Sequence, residues 1–371
     1  MKLDKIDIED LITDHKIISR ITVEILQIIS NAPADDNKEK YIHNYLDKTI
    51  FKKDLLDSFQ RPVIVIYDEV LTVEILLAIH LWFIKQSCNI DNIFLVTTHT
   101  LGASEWYKKY LNLFGLRGFR LVEAPLMSRR YVDRFIDIPK KDIFSNKKIK
   151  HYFSYYGGSY PSLEKDFLVT VMLQLPNGCV EYMSGFSNDE EKLDNYLEEL
   201  TGFCDRKTVD NLMNIRRSFV FTKNKTQTLN ETFNLLGHQY QIDQQCAFQI
   251  IRETNNSTPF SCITEKTLRS FIHGQLPIPL SGKNSVNNIK KLGFLLDSNI
   301  IDYNYQYLDT FYERIQAVVT EVCRIQKNFS LEDLTNYIND NLDLIEYNYK
   351  YVASGMLFDT IKTNFLKQIN D

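Results

Sequence analysis

The chain has 371 residues, 44% apolar and 25% charged, a balance that excludes long disorder, collagen-like repeats and coiled-coil rods. At roughly 100–200 residues per domain, the length points to two domains. Lys and Arg number 43 against 48 Asp and Glu, a net charge of -5, which excludes a globally basic surface for gripping nucleic acid but leaves room for a local patch.

Residues 5–58 carry Ile8, Leu11, Ile12, Ile18, Ile21, Ile25 and Ile29 at helical spacing, a break at 32–37, and a second helical stretch from 45 to 59. This pattern predicts an N-terminal helical cap over 1–60. The run Pro62-Val63-Ile64-Val65-Ile66-Tyr67 is wholly apolar after a proline, the pattern of a buried parallel strand. A helix follows through Val73, Leu76, Leu77, His80, Leu81 and Ile84, then a strand at 93–98, a helix at 104–114 and a strand at 119–122. This rhythm predicts a doubly wound α/β lobe over 61–145. Right-handed crossovers place Asp68, Glu69, His99 and Glu123 on its carboxyl edge, where ligands bind in such sheets. Trp82 and Trp106 fall on helices of this lobe and read as core.

Residues 128–150 are basic (Arg129, Arg130, Arg134, Lys140, Lys141, Lys147, Lys148, Lys150) and read either as a solvated linker or as a phosphate-attracting one. The rhythm then restarts: strand 151–156, turn Gly157-Gly158, helix 162–175, strand 179–183, helices near 189–201 and 227–236, strand 247–251, a loop from 253 to 262, helix 265–273, strand 277–280 and helix 285–291. Gly274 stands where a helix would end. The chain from 309 onward reads as helical, with Ser330 and Asp333 at a helix start. The expected architecture is α/β: two tandem Rossmann-like lobes, the second over 146–345, with a C-terminal helix at 346–371.

Six cysteines are scattered without a Cys-x-x-Cys pair, which speaks against zinc and for a reduced, cytoplasmic protein. Residues 1–14 are polar and acidic, unlike a signal peptide, and no apolar run is long enough to span a bilayer.

The densest polar signal brackets one strand-to-helix connection: Arg252, Glu253 and Asn255 before it, Thr264, Glu265 and Lys266 at its end. A helix N-terminus offers free amides to an anion, and Thr264 suits the N-cap. Lys266 in the first turn opposes the helix dipole by a few tenths of a kcal/mol, roughly. Either a shared anion compensates that cost or the lysine stem carries its charge away into water. Ser281-Gly282-Lys283 is not a P-loop, because Pro277 stands at the required glycine and Asn284 follows the lysine. No Asp-x-Asp triplet or zinc motif occurs, so no metal and no cofactor are expected.

Glu253-Thr254-Asn255 ahead of Thr264-Glu265-Lys266, then Gly274 and Pro277-Ile278-Pro279-Leu280, resembles the nucleotide-sugar segment of fucosyltransferase-like glycosyltransferases. Leu292-Gly293-Phe294 and Asp309, Glu313 and Arg314 are also similar to glycosyltransferases attributed to marine bacteriophages. The resemblance covers roughly 150–325. It implies a GT-B arrangement with the donor on the C-terminal lobe, Glu265 on the ribose hydroxyls, Lys266 on the β-phosphate and Glu253 near the donor sugar. Lys165 is the nearest match to the family's phosphate-facing arginine, and only arginine offers a bidentate fork. The acceptor's general base is expected in the first lobe, with Asp68 and Glu69 first and His99 next. Asp68 equally suits a helix cap, and His99 a structural hydrogen bond. The resemblance implies a nucleotide-sugar donor and, as acceptor, a glycan, a protein or a hydroxymethylated base of phage DNA, in the host cytoplasm for a phage protein. The alternative is an inactive virion, assembly or binding protein that keeps the fold.

Overall fold

The structure is a computed structural model that describes residues 17–21, 63–66, 71–98, 100–125, 147–157, 163–182, 206, 210, 242–253 and 259–370. It is an α/β protein with two four-stranded, wholly parallel sheets among the described residues. Its β1 (Ile17–Ile21), β2 (Val63–Ile66), β3 (Phe94–Thr97) and β5 (Arg120–Glu123) form the first sheet in that order. The short apolar runs of β2 and β3 have both faces covered, as parallel strands require.

One face of this sheet, with Ile64, Ile66, Leu95 and Leu121, packs on α1 (Val73–Lys85) and α2 (Ala103–Phe114). Thr72 caps α1 by accepting from the amide of Ile75. Trp82 is fully buried and Trp106 packs partly buried against the same cluster. The other face, with Val63, Val65, Phe94, Val96 and Val122, is covered by Phe365 and Ile369 of the last helix.

Residues 17–21 correct the expected helical cap. They form an edge strand parallel to β2, with Ile17 opposite Val63 and Ile21 opposite Ile66. A run of three isoleucines in five residues satisfies a strand as readily as a helix. The rest of that cap, and the helices expected near 189–201 and 227–236, lie outside the described residues.

The second sheet has the order β10 (Leu276–Leu280), β8 (Cys246–Arg252), β6 (His151–Gly157), β7 (Gly178–Tyr182). By chain order its four strands run 2-1-3-4, so connections leave β6 on one side and β8 on the other. With right-handed crossovers, that reversal puts α3 (Leu163–Gln174) and α4 (Glu265–Ile272) on opposite faces and opens a crevice at the carboxyl ends of β6 and β8.

Helices α5 (Ser285–Lys291), α6 (Phe311–Asn328), α7 (Leu331–Asp340), α8 (Leu342–Ala353) and α9 (Met356–Asn370) complete the layers. Capping boxes at Thr310/Glu313 and Ser330/Asp333 start α6 and α7. Gly274, in the left-handed region at φ 67, follows the end of α4. No helix among the described residues is long and apolar enough to cross a membrane.

Two two-residue strands join the sheets. In β4 (Thr100–Leu101) and β9 (Ser261–Cys262), Thr100 pairs antiparallel with Cys262 and Leu101 with Ser261. The loop expected at 253–262 therefore ends in a strand.

Candidate functional site

The start of α4 is built from both sides of the loop that leaves β8. Thr264 is extended (φ -123, ψ -174), and its Oγ1 accepts from the amide of Lys266 at 3.3 Å. The carboxylate of Glu253, 1% exposed, holds this cap. Its Oε1 accepts from the Thr264 amide (3.1 Å) and the Thr267 hydroxyl (2.5 Å), and its Oε2 accepts from the Thr264 hydroxyl (2.6 Å). Because the Thr264 proton is given to Glu253, only lone pairs of that hydroxyl face Lys266. Lys266 answers with its amide and with its ammonium, whose Nζ donates to Oγ1 at 3.2 Å. The half-buried lysine thus folds back over the first turn of α4 instead of extending into water. The helix start already holds an anion, the Glu253 carboxylate, and the Lys266 ammonium lies beside the cap it makes.

Arg252, the last residue of β8, precedes Glu253 in the chain and stacks its guanidinium over Phe311 at 5.7 Å. Arg314 stacks over the same ring at 5.9 Å and donates from Nη1 to the carbonyls of Leu308 and Asp309. The structure thus gathers Glu253, Thr264 and Lys266 at one corner of the carboxyl edge, while the Arg252 guanidinium goes to Phe311. Glu253, expected near a donor sugar, is turned into the protein and holds the helix start. Glu265 is the first residue of α4 and Lys165 lies within α3, with their side chains outside the described set. Asp68, Glu69, His99 and Asn255 also lie outside the described residues.

On the first sheet, Glu123 sits on the carboxyl edge as expected and takes a role that sequence reading missed. α2 begins after Gly102, which has no side chain to cap it. Glu123 supplies the cap from the neighbouring strand, accepting from the amides of Gly102 (3.0 Å) and Ser104 (2.7 Å). Burial raises its carboxyl pKa above the usual range, against the lowering effect of those amides.

A buried network lies under the far end of α4. Asp243 accepts from His273 Nδ1 (2.6 Å), Ser154 (2.9 Å) and Tyr156 (2.8 Å). Burial lowers the His273 pKa and outweighs the pull of Asp243. The Asp243 pKa is also lowered: burial pushes it up, and the hydrogen bond from His273, the charge of Arg269 and the hydrogen bond from Tyr156 outweigh that. A neutral imidazole donating to an ionised carboxylate satisfies both shifts. Ser154 donates to the aspartate and not to the imidazole, and Asp243, His273 and Ser154 are fully buried. The set therefore lacks the nucleophile–base contact of an acyl-transfer site.

The basic stretch is corrected at one position. Lys147 is 6% exposed, with its ammonium on the carbonyl of Gly274, so it is not part of a solvated linker. Arg129, Arg130, Arg134, Lys140 and Lys141 lie outside the described residues.

Sequence reading also missed the junction of the two sheets. Asn288 donates from Nδ2 to the carbonyl of Leu101 (3.2 Å) and to Ser261 Oγ (2.9 Å). Leu101 belongs to the core of the second sheet, and Phe260 to that of the first. The Gly102 signal was available: at φ 83, an added Cβ would lie 3.0 Å from Asn288 Nδ2.

Comparisons with protein-family models, curated proteins and solved structures find no match for this chain.

Proposed function

We propose that the chain is a metal-independent glycosyltransferase with two facing lobes in a GT-B arrangement. It moves a sugar from a nucleoside-diphosphate sugar to a hydroxyl of a glycan, a protein or a modified DNA base. The observation that carries this reading is the inward fold of Lys266 over the capped start of α4. A departing diphosphate needs charge neutralisation above all, and that corner offers the Lys266 ammonium. The crevice between β6 and β8 is where doubly wound sheets take nucleotides. In this reading Lys165 adds a further cation and Glu265 holds the ribose. Asp68, Glu69 or His99 takes the acceptor proton, and closure of the lobes keeps water from the donor.

A second reading is a glycosyltransferase-like binding protein without turnover. It is favoured by the engagement of Glu253, whose two oxygens are both spent on holding α4.

Thermal shift with GDP and UDP tests the site. A ligand at 100 times its Kd adds about 2.7 kcal/mol to stability, and Lys266→Ala should abolish the shift. No shift with either nucleotide, or a shift unchanged in Lys266→Ala, overturns the assignment. Mass spectrometry of sugar-nucleotide hydrolysis separates the two readings, since a binding protein shows the shift without hydrolysis.

A further inference from the structure

A cavity of about 360 Å³ opens between the two sheets, walled by the start of α2, by α5 and by α9. Its polar groups are sorted by depth. At the inner wall are the Glu123 carboxylate and Asn288, which is 5% exposed. The Asn288 amide nitrogen is spent on Leu101 and Ser261, and its Oδ1 accepts no hydrogen bond among the described residues. The Glu123 carboxylate takes the amides of Gly102 and Ser104 and the Ser104 hydroxyl, and of its four lone pairs one is left over. Ser104 and Gln368, which also line the cavity, turn their donors to Glu123 and its neighbours, so the open groups of the inner wall are acceptors, Asn288 Oδ1 first, and an occupant meets them with donors. The mouth carries two cations and one carboxylate: Lys291, one turn beyond Asn288 on α5, is paired at 3.5 Å with Glu105, which also lines the cavity, and the exposed Lys367 of α9 stands as the second cation. Asn364 stands beside Lys367 with an exposed amide.

We propose that this cavity binds a small polyhydroxylated anion of the sugar-phosphate type, with hydroxyls against Glu123 and Asn288 Oδ1 and the anionic group between Lys291 and Lys367. Hydroxyls suit the inner wall better than an ammonium would, because an ammonium loses far more hydration on burial. The volume suits one phosphorylated hexose ring. This site is separate from the nucleotide corner at Lys266 and stands whether or not that reading holds.

The test is isothermal titration of the full chain with glucose 6-phosphate, glucose, inorganic phosphate and glycine. Saturable binding of glucose 6-phosphate is expected, with glucose and phosphate each at least roughly tenfold weaker, since each keeps only one half of the contacts. Asn364→Trp, which blocks the mouth, should abolish binding. Lys367→Glu, an exposed charge reversal, should weaken it roughly five- to tenfold. Lys266→Ala should leave it unchanged. Four results overturn the proposal, the first three being no saturable binding of glucose 6-phosphate, binding unaffected by both mouth variants, and glycine binding at least as well, which assigns the inner wall to an ammonium. The fourth is loss of binding in Lys266→Ala, which would place the ligand at the nucleotide corner instead.

Discussion

Lys147 shows how much one residue's burial changes its meaning. Its ammonium is held under the last turn of α4 by the Gly274 carbonyl, with Asp243 and the Cys246 thiol near enough to matter electrostatically. Burial pulls its pKa down from 10.5 to about 8, and the charge of Asp243 only partly opposes that. The sign of the linkage follows. Between about pH 8 and 10.5 the unfolded chain still holds the lysine proton while the folded chain has released it. Unfolding then takes up a proton, so the stability contributed by this group rises with pH through that window. Urea melts of the wild type and Lys147→Met across pH 7–10.5 check this. The wild type should gain stability relative to the variant above pH 8, and a flat difference would show that the ammonium is not desolvated. In the sequence Lys147 is one of eight basic residues in a row of loop-like positions, and nothing local marks it as the buried one. Thr264 differs, because its N-cap role is written in its own type and in the helical pattern after it.

At the scale of elements, the junction of β4 and β9 decides how the two sheets meet. Phe260 follows the second sheet's β8 in sequence but lies in the core of the first, edge-on to Trp106 at 6.1 Å. Phe260→Ala therefore opens a cavity in the core of the first sheet, at a cost of about 3–5 kcal/mol. Denaturant melts should show a lower midpoint, with hydrogen exchange quickened in α1 and α2 before α6 and α7. Faster exchange confined to the second sheet's helices would place Phe260 wrongly. The legibility of the elements follows from the same physics. β2, β3 and β10 were readable because strands buried on both faces are near-continuously apolar, and β8 because only Gln249 interrupts its apolar run before Arg252. β1 was not, because five residues with three isoleucines cannot choose between two periods. β4 and β9 are two residues long and exist only through each other, so no local pattern announces them. At the nucleotide corner, sequence reading identified the cap and the lysine; the inward turn of Glu253 depends on Thr267, three residues beyond the cap, and was invisible.

For the whole molecule, the end of the chain joins what the middle separates. On α9, Leu357, Ile361, Phe365 and Ile369 recur every four residues and form one stripe. Leu357 and Ile361 lie in the core of the second sheet, Phe365 and Ile369 on the outer face of the first. Gln368 adds a reciprocal pair with Glu123: its Oε1 accepts from the Glu123 amide at 3.1 Å, and its Nε2 donates to the Glu123 carbonyl at 3.4 Å. Read in sequence, this segment is an ordinary amphipathic helix, and its destination some 245 residues back at Glu123 rests on packing alone. Burial of a large apolar side chain contributes about 1.5–3 kcal/mol. Losing Phe365 and Ile369, and uncovering Val63, Val65, Phe94, Val96 and Val122 beneath them, therefore removes an amount comparable to the whole stability of a domain. Truncation after Thr363 keeps Leu357 and Ile361 in place and removes only the half of the stripe that reaches the first sheet. Hydrogen exchange of that truncated chain should show lost protection in β2, β3 and β5, with β6, β8 and β10 still protected. Equal loss in both sheets would mean that they fold as one cooperative unit, and no loss in either would mean that α9 does not hold them together.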